Sequence, residues 1–140
     1  MTIRKNGDEQ MPLSITLGGE KENQFRSTVY KTKSPRWMEL VKITLPPLDF
    51  SKCHLLFTFR SRMSGESKDK LEKEFAFCWL PLKDQDDLTI QNSNYRLIVY
   101  RCSDMKKLKY INYCTLPSIH SDDTDLLVSS RTEGIHFTKG

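Results

Sequence analysis

Apolar and polar side chains alternate with a period of two along much of this chain. The alternation is clearest in residues 53–60 and 74–80, and it recurs in residues 24–31, 38–45 and 94–101. Such alternation is typical of β-strands that bury one face, so each of these segments predicts a strand. The side chains predicted to form the core are Leu55, Phe57, Phe59, Phe75, Phe77, Trp79, Leu97 and Val99.

The remaining segments predict further short strands and almost no helix. The weaker strand candidates are residues 2–5, 13–17, 112–116 and 134–137, and the two candidates for a helical turn are residues 68–74 and 105–111. Pairs such as Gly18-Gly19 and Pro46-Pro47 mark the connections between strands. Many short strands at regular spacing predict an all-β fold, an antiparallel β-sandwich of Greek-key type with about eight short strands.

The composition fits a single domain inside the cell. With 140 residues and 37% hydrophobic residues, the chain is long enough to bury a core. Charged residues such as Arg4 and Lys5 interrupt any apolar run of the kind found in signal peptides. No stretch approaches the roughly 20 apolar residues of a membrane span. The four cysteines form no C-x-x-C pair and no zinc-ligand spacing, so we expect reduced thiols in a cytoplasmic protein.

Charge is unevenly distributed if consecutive strands run antiparallel. The chain direction then reverses at each connection, so residues 31–36, 60–73 and 101–109 lie at one end of the sandwich and residues 46–52 and 81–93 at the other. The first end has a clear excess of Lys and Arg, whereas the second has a slight excess of Asp. Because loops on a rigid scaffold commonly bind ligands, the basic end predicts binding to something anionic.

Other chemistries fit the residues less well. Calcium takes about six to eight oxygen ligands, whereas the longest basic connection offers only Glu66, Asp69 and Glu72, interleaved with cations. Cys53 and His54 are adjacent, so on a strand they face opposite ways and cannot act together as nucleophile and base. Aromatic side chains that alternate inward leave no stacking platform for nucleic acid. We therefore predict no enzyme activity in this chain, no metal, no cofactor and no nucleic-acid partner.

Three motifs in order along residues 25–116 resemble a known family. They are Ser34-Pro35-Arg36-Trp37, Phe57-Thr58-Phe59-Arg60, and the run from Ser67-Lys68-Asp69-Lys70 to Glu72-Lys73 before an aromatic strand. Together they resemble the C2-type domain of the DOCK (dedicator of cytokinesis) guanine-nucleotide exchange factors. The resemblance implies an eight-stranded sandwich whose loops bind phosphatidylinositol trisphosphate or another acidic membrane lipid. It also implies recruitment of a Rac-type exchange factor from the cytoplasm to the plasma membrane.

The resemblance also sets the expected boundaries. In the family, a first strand and a first lysine-rich loop precede the strand that aligns with residues 2–5, so both are expected to be missing, together with part of the last strand. Residues 1–118 are then the C2-type domain, residues 119–133 a polar flexible segment and residues 134–140 a partial last strand. The exchange-catalysing region of the family is a separate domain, so a Rac-type small GTPase is a partner only through parts absent from this chain.

The candidate lipid-binding residues are the cations of two basic connections that match the lipid-binding end of the family. They are Arg60, Arg62, Lys68, Lys70, Lys73, Lys31, Lys33 and Arg36. Lysines on a loop supply point charges that can wrap a phosphorylated headgroup, and arginines add bidentate contacts. Because the first loop is expected to be missing, a protein-interaction module without lipid binding is the alternative.

Overall fold

The computed structural model describes residues 1–5, 9–11, 14–17, 19–29, 33–62, 72–83, 89–102 and 112–120. Within them, two antiparallel sheets and very little helix confirm the predicted all-β sandwich class. The larger sheet, in the order β2-β1-β6-β7-β8, contains β1 (Thr2–Lys5), β2 (Glu9–Gln10), β6 (Cys53–Arg62), β7 (Glu72–Pro81) and β8 (Tyr100–Arg101). The smaller sheet, in the order β4-β3-β5, contains β3 (Ile15–Leu17), β4 (Glu20–Glu22) and β5 (Lys42–Ile43). The helical elements are the single turn α1 (Pro47–Phe50) and a 3₁₀ turn at Tyr113–Thr115.

The β6–β7 hairpin is the centre of the fold because both of its faces are buried. The register pairs Leu56 with Trp79 on one face and Leu55 with Leu80 on the other. The first face packs in a cluster of Leu56, Phe77, Trp79, Ile98, Tyr100, Cys102, Tyr113 and Leu116. The second face packs toward the smaller sheet in a cluster of Ile3, Ile15, Cys53, Leu55 and Leu82, extended by half-buried side chains that include Val41, Ile43 and Phe57. Each long strand therefore contributes to two apolar layers.

The residues predicted to form one core are divided between these two clusters. Phe77 and Trp79 belong to the first cluster, whereas Leu55 and Phe57 belong to the second, across the sheet. Alternation shows which side chains share a face within one strand, but it does not show which faces of neighbouring strands coincide. Because Leu56 and Cys78, which lie between the predicted positions, are also buried, the pattern could not decide between the faces.

A second correction concerns the strand that ends at Arg101. Ile98 and Tyr100 are buried, whereas the predicted core residues Leu97 and Val99 are only half-buried. The hydroxyl group of Tyr100 donates a hydrogen bond to the carbonyl oxygen of Pro117 at 2.6 Å, so this aromatic residue can be buried with its polar end satisfied. The tyrosine therefore occupies the inward position that alternation had assigned to its aliphatic neighbours.

Several predicted elements are shorter or different in kind. Residues 24–29 form no strand beyond an isolated bridge between Gln24 and Thr2, and the segments at 38–45 and 94–101 contribute only β5 and β8. Residues 112–116 contain the 3₁₀ turn in place of a strand, and this turn places Tyr113 in the first cluster. Residues 72–74 belong to β7 rather than to a helical turn.

Other predictions fall on residues outside the described part of the chain. These are the helical turn at 105–111, the strand at 134–137, the segment 119–133 except residues 119 and 120, and the whole of the segment 134–140. Ile119 forms an antiparallel bridge with Leu97, and the amide of His120 donates to the carbonyl oxygen of Arg96 at 2.8 Å. The predicted domain boundary at residue 118 stays a prediction.

The two ends of the hairpin provide the frame for the site. We call the end with Arg60 and Lys73 the upper end, and the end with Cys53 and Pro81 the lower end. Of the residues in β6, only those in its lower part, from Leu56 down to Cys53, pair with β1. The lower end is therefore flanked by β1 and β7 together.

Candidate functional site

The strand register gathers several cations at the upper end of the hairpin. Arg60 pairs with Glu74, and Lys73 pairs with Ser61. β8 runs antiparallel to β7 and brings Arg101 opposite Ala76. This antiparallel arrangement places the final residues of β6 and β8, Arg62 and Arg101, at the same end of the sheet.

Arg60 and Lys73 lie at the same end but on opposite faces of the hairpin. Successive strand residues face opposite ways, so Arg60 and Ser61 differ in face, and Lys73 shares the face of Ser61. Arg101 shares that same face, because its partner Ala76 pairs with Phe59. Lys73 and Arg101, both exposed, therefore form one group, and Arg60 lies apart from it.

Arg60 lies close to other charged groups. Its guanidinium lies 2.5 Å from a carboxylate oxygen of Glu74. Burial lowers the pKa of the Met1 amino group, and the nearby positive charges of Arg60 and Arg26 lower that pKa further. The sequence prediction had treated Arg60 as available for an anion, whereas the structure gives it a carboxylate partner.

A β-bulge changes the face to which side chains in the upper part of β7 point. The register shifts between Phe59 and Arg60, which leaves Phe75 as the additional residue. The carbonyl oxygen of Phe75 accepts a hydrogen bond from the amide of Cys102 at 2.9 Å, so the bulge is fixed to the chain that follows β8. Phe75 is 41% exposed, and its predicted place in the core is therefore wrong.

The segment that carries Lys33 and Arg36 reaches the same face as Lys73. The Trp37 ring contacts the Phe59 ring with 6.0 Å between centroids, and Phe59 shares its face with Ala76. Lys33 and Arg36 are exposed. Trp37 itself is partly exposed, at the rim of the packed interior. The aromatic contact thus anchors one of the two predicted basic connections beside the upper end.

Four predicted site residues have no described side chain. Lys31, Lys68 and Lys70 lie outside the described ranges, and of Arg62 only the backbone pairing with Glu72 is described. Their assignment to an anion site stays a prediction. Arg101, which the sequence analysis counted only as charge, is the cation that it missed, and the signal for it was its place at the end of an alternating segment.

The lower end has a different charge arrangement. The Lys5 ammonium group lies 3.2 Å from a carboxylate oxygen of Asp49, which belongs to α1. Burial raises the pKa of the neighbouring Cys53 thiol, and the negative charge of Asp49 adds to this. The amide of Leu82 donates to the carbonyl oxygen of Cys53, which extends the hairpin downward. This end is held by backbone pairing and a local ion pair.

A buried polar cluster lies on the first face and was missed by the sequence analysis. His54 is 1% exposed, and its Nε2 lies 2.6 Å from the hydroxyl oxygen of Tyr113. Cys114 Sγ lies 3.8 Å from both ring nitrogens of His54. Buried polar groups need hydrogen-bond partners, so this contact attaches the 3₁₀ turn to the hairpin. As the sequence indicated, Cys53 lies on the opposite face, in the second cluster.

All four cysteines are free thiols, in agreement with the sequence prediction. Burial raises the pKa of the Cys78 thiol to about 12, which keeps it neutral in the interior. Among the described residues, no group of three or more His, Cys, Asp and Glu side chains is arranged to hold a metal ion. Within the same ranges, no helix is long and apolar enough to cross a membrane.

The two antiparallel sheets are consistent with a C2-like β-sandwich, and comparison with known proteins gives the family. A family model described as "C2 domain in Dock180 and Zizimin proteins" matches residues 1–136. The chain therefore belongs to the DOCK-C2 family, as the sequence motifs indicated.

Two relatives show how much of a longer protein this chain represents. It is 33% identical over 107 residues to dedicator of cytokinesis protein 4 from Homo sapiens, a match that covers 75% of this chain and 5% of that protein. It is also 33% identical over 113 residues to dedicator of cytokinesis protein 3 from Mus musculus, covering 79% of this chain and 5% of that protein. The chain is thus similar to one small part of these proteins.

Proposed function

We propose that this chain is a phosphoinositide-binding module that recruits a DOCK-type guanine-nucleotide exchange factor from the cytoplasm to the plasma membrane. The observation that carries the proposal is the group of exposed cations at the upper end of the hairpin, Lys73 and Arg101, with Lys33 and Arg36 approaching the same face. Each cation near an acidic leaflet contributes about 1 kcal/mol of attraction. Several such cations are enough to orient the domain on a membrane.

A multiply phosphorylated headgroup fits this end better than a single anion does. Exposed lysines supply mobile point charges, and arginines supply bidentate hydrogen bonds to phosphate oxygens. Arg60 contributes less than the sequence indicated, because Glu74 already occupies part of its donor capacity. In this proposal Lys73 and Arg101 provide fixed contacts from the sheet, and Lys68 and Lys70 complete the site from the connection.

The chain itself supplies recruitment and no nucleotide exchange. In the proposed division of labour, a separate domain of the longer protein acts on a Rac-type small GTPase. A nucleotide-release assay with the 140-residue chain and Rac-type GTPases should show only the intrinsic rate. Acceleration well above that rate would overturn this part of the proposal.

Vesicle sedimentation tests lipid binding directly. We expect the chain to bind phosphatidylcholine–phosphatidylserine vesicles more strongly when they contain phosphatidylinositol trisphosphate. Reversing two charges with Lys68→Glu and Lys70→Glu should abolish this binding while the circular dichroism spectrum is unchanged, whereas Asp84→Lys should leave binding unchanged or slightly stronger. If the double variant binds as the wild type does at physiological salt, the protein-interaction alternative replaces the lipid proposal.

A further inference from the structure

The segment that leads into β5 presents the two most exposed large apolar side chains among the described residues. Met38 is 94% exposed and Leu40 is 97% exposed. The amide of Glu39 donates to the carbonyl oxygen of Trp37 at 2.9 Å, which closes a three-residue turn with Met38 at its tip. Scattered single apolar residues on a surface are ordinary, but two that project from one turned segment form a candidate contact.

The residues between and beside this pair are anchored to the body of the domain. Trp37 contacts Phe59, the Glu39 carboxylate accepts a hydrogen bond from Ser27, and Val41 packs with the second cluster. Trp37, Glu39 and Val41 therefore each have a contact partner, whereas Met38 and Leu40 are almost fully exposed to water. The two apolar side chains are therefore exposed on a segment whose neighbouring residues are held in place by their own contacts.

Two exposed lysines lie on the outer face of the smaller sheet, which follows the apolar pair in the chain. Thr16 pairs with Lys42 on one side and with Lys21 on the other, so both lysines share one face. Leu40 and Lys42 are two positions apart on the chain that enters β5, so they project to the same side.

The carboxylates of β4 are placed on the alternate face. Glu20 pairs with Leu17 and Glu22 pairs with Ile15, which is a core residue of the second cluster. The outer face thus combines two apolar side chains with lysines, and the acidic side chains of the same strand alternate away from it. This separation of charge matches an anionic occupant that has an apolar layer beneath its charged surface.

We propose that Met38 and Leu40 insert into the interfacial region of an anionic bilayer while Lys42 and Lys21 contact its headgroups. The inference rests on the proposed membrane recruitment and adds a second contact, outside the headgroup site. Apolar side chains on a basic surface bind the boundary between headgroups and acyl chains through buried area and electrostatic attraction together. Headgroup recognition and insertion are then separate contributions, which can be removed separately.

Replacing the pair with Met38→Ser and Leu40→Ser tests the insertion. With phosphatidylcholine–phosphatidylserine vesicles containing phosphatidylinositol trisphosphate, the double variant should partition at least about tenfold more weakly, given the hydrophobic contribution of two such side chains. Its affinity for the soluble inositol tetrakisphosphate headgroup should be unchanged. Leu48→Ser, which removes an 87% exposed leucine in α1 at the lower end, is the matched control and should bind as the wild type does.

A second variant reports insertion without loss of an apolar side chain. The fluorescence of the tryptophan introduced by Met38→Trp should be quenched when the same vesicles, prepared with brominated acyl chains, are added. If the serine variant partitions as the wild type does and the new tryptophan is not quenched, insertion is wrong, and the pair is better explained as a contact with protein. If the wild-type chain binds neither trisphosphate vesicles nor the soluble headgroup, the proposed function fails as well.

Discussion

The two ends of the β6–β7 hairpin are built from the same pair of strands, yet they differ in packing and in charge. At the lower end β6 is flanked by β1 and β7, Cys53 and His54 are buried, and Lys5 pairs with Asp49. At the upper end the register is shifted by a bulge, and the side chains of Lys73 and Arg101 are exposed. The lower end therefore contributes to the stability of the fold, and the upper end exposes positive charge to solvent.

This difference separates residues whose loss affects folding from residues whose loss affects binding. Substitutions in the buried middle and lower part should lower the free energy of unfolding. Substitutions at the upper end should leave unfolding nearly unchanged and alter the attraction to anionic surfaces. Each of the following experiments compares a change in one region with a matched change in the other.

The largest effect is expected for the buried phenylalanine of β7. Phe77 is 0% exposed and stacks on Tyr100 with 5.4 Å between ring centroids, so Phe77→Ala should lower the free energy of unfolding by about 3–5 kcal/mol. Phe75→Ala, two residues nearer the upper end, should cost less than about 1 kcal/mol because that ring is partly in water. Urea unfolding measures both, and equal costs would show that the bulge does not release Phe75 from the core.

The buried histidine contact should give the next largest effect. Tyr113→Phe removes the hydroxyl group at Nε2 of His54 and leaves a buried polar atom short of a partner, at a cost of about 1–3 kcal/mol. Tyr95→Phe is the control, because the Tyr95 hydroxyl donates to the Gln91 carbonyl oxygen at an exposed site, and it should change the free energy of unfolding by less than about 0.5 kcal/mol. Equal losses in the two variants would contradict the structural role given to His54.

Cys78 should make stability depend on alkaline pH. Its folded-state pKa of about 12 lies above the ordinary thiol value of 9.0. Between these values the unfolded thiol loses its proton while the folded one keeps it, so the free energy of unfolding should fall as pH rises, by up to about 1.4 kcal/mol per pH unit. Urea unfolding from pH 8 to 10.5 should show a shallower decline for Cys78→Ala. Parallel slopes for the two proteins would count against a buried neutral thiol.

The smallest effect is expected from the ion pair at the upper end. Glu74→Gln removes the partner of Arg60, should change the free energy of unfolding by about 1 kcal/mol or less, and should strengthen vesicle binding a few-fold. Asp49→Asn removes one negative charge at the lower end, beside Lys5, and should strengthen binding less. If both variants gain equally, net charge rather than position governs the attraction.

Alternation along the two long strands was enough to predict the centre of the fold. β6 and β7 were recognised within two residues at each end, because seven or eight residues of apolar alternation are hard to satisfy in any other conformation. The shared core could not be predicted in the same way. Both faces of the hairpin are buried, and the face that carries Phe77 and Trp79 is covered by Tyr113 and Leu116. These two residues lie in and directly after a 3₁₀ turn, which has no periodic signature in the sequence.

Antiparallel pairing could predict which strand ends carry the candidate cations, but not the face or the partner of each one. Reversal of direction at each connection places the chain after β6 and after β8 at one end, and this follows from antiparallel pairing alone. The division of Arg60 and Lys73 between two faces depends on the exact register, and the pairing of Arg60 with Glu74 depends on a bulge at Phe75. The alternation of apolar and polar residues in the sequence indicates neither the exact register nor the bulge.

The central claim, that cations at the upper end of the hairpin bind the membrane and cations at the lower end do not, is tested most directly by the same charge reversal at each end. Lys73→Glu with Arg101→Glu alters the upper end, and Lys52→Glu with Lys83→Glu makes an equal change in net charge at the lower end. Sedimentation with vesicles containing phosphatidylinositol trisphosphate, at physiological salt, should show binding abolished in the first variant and nearly retained in the second. Equal loss in both variants, or binding retained in the first, would contradict the account.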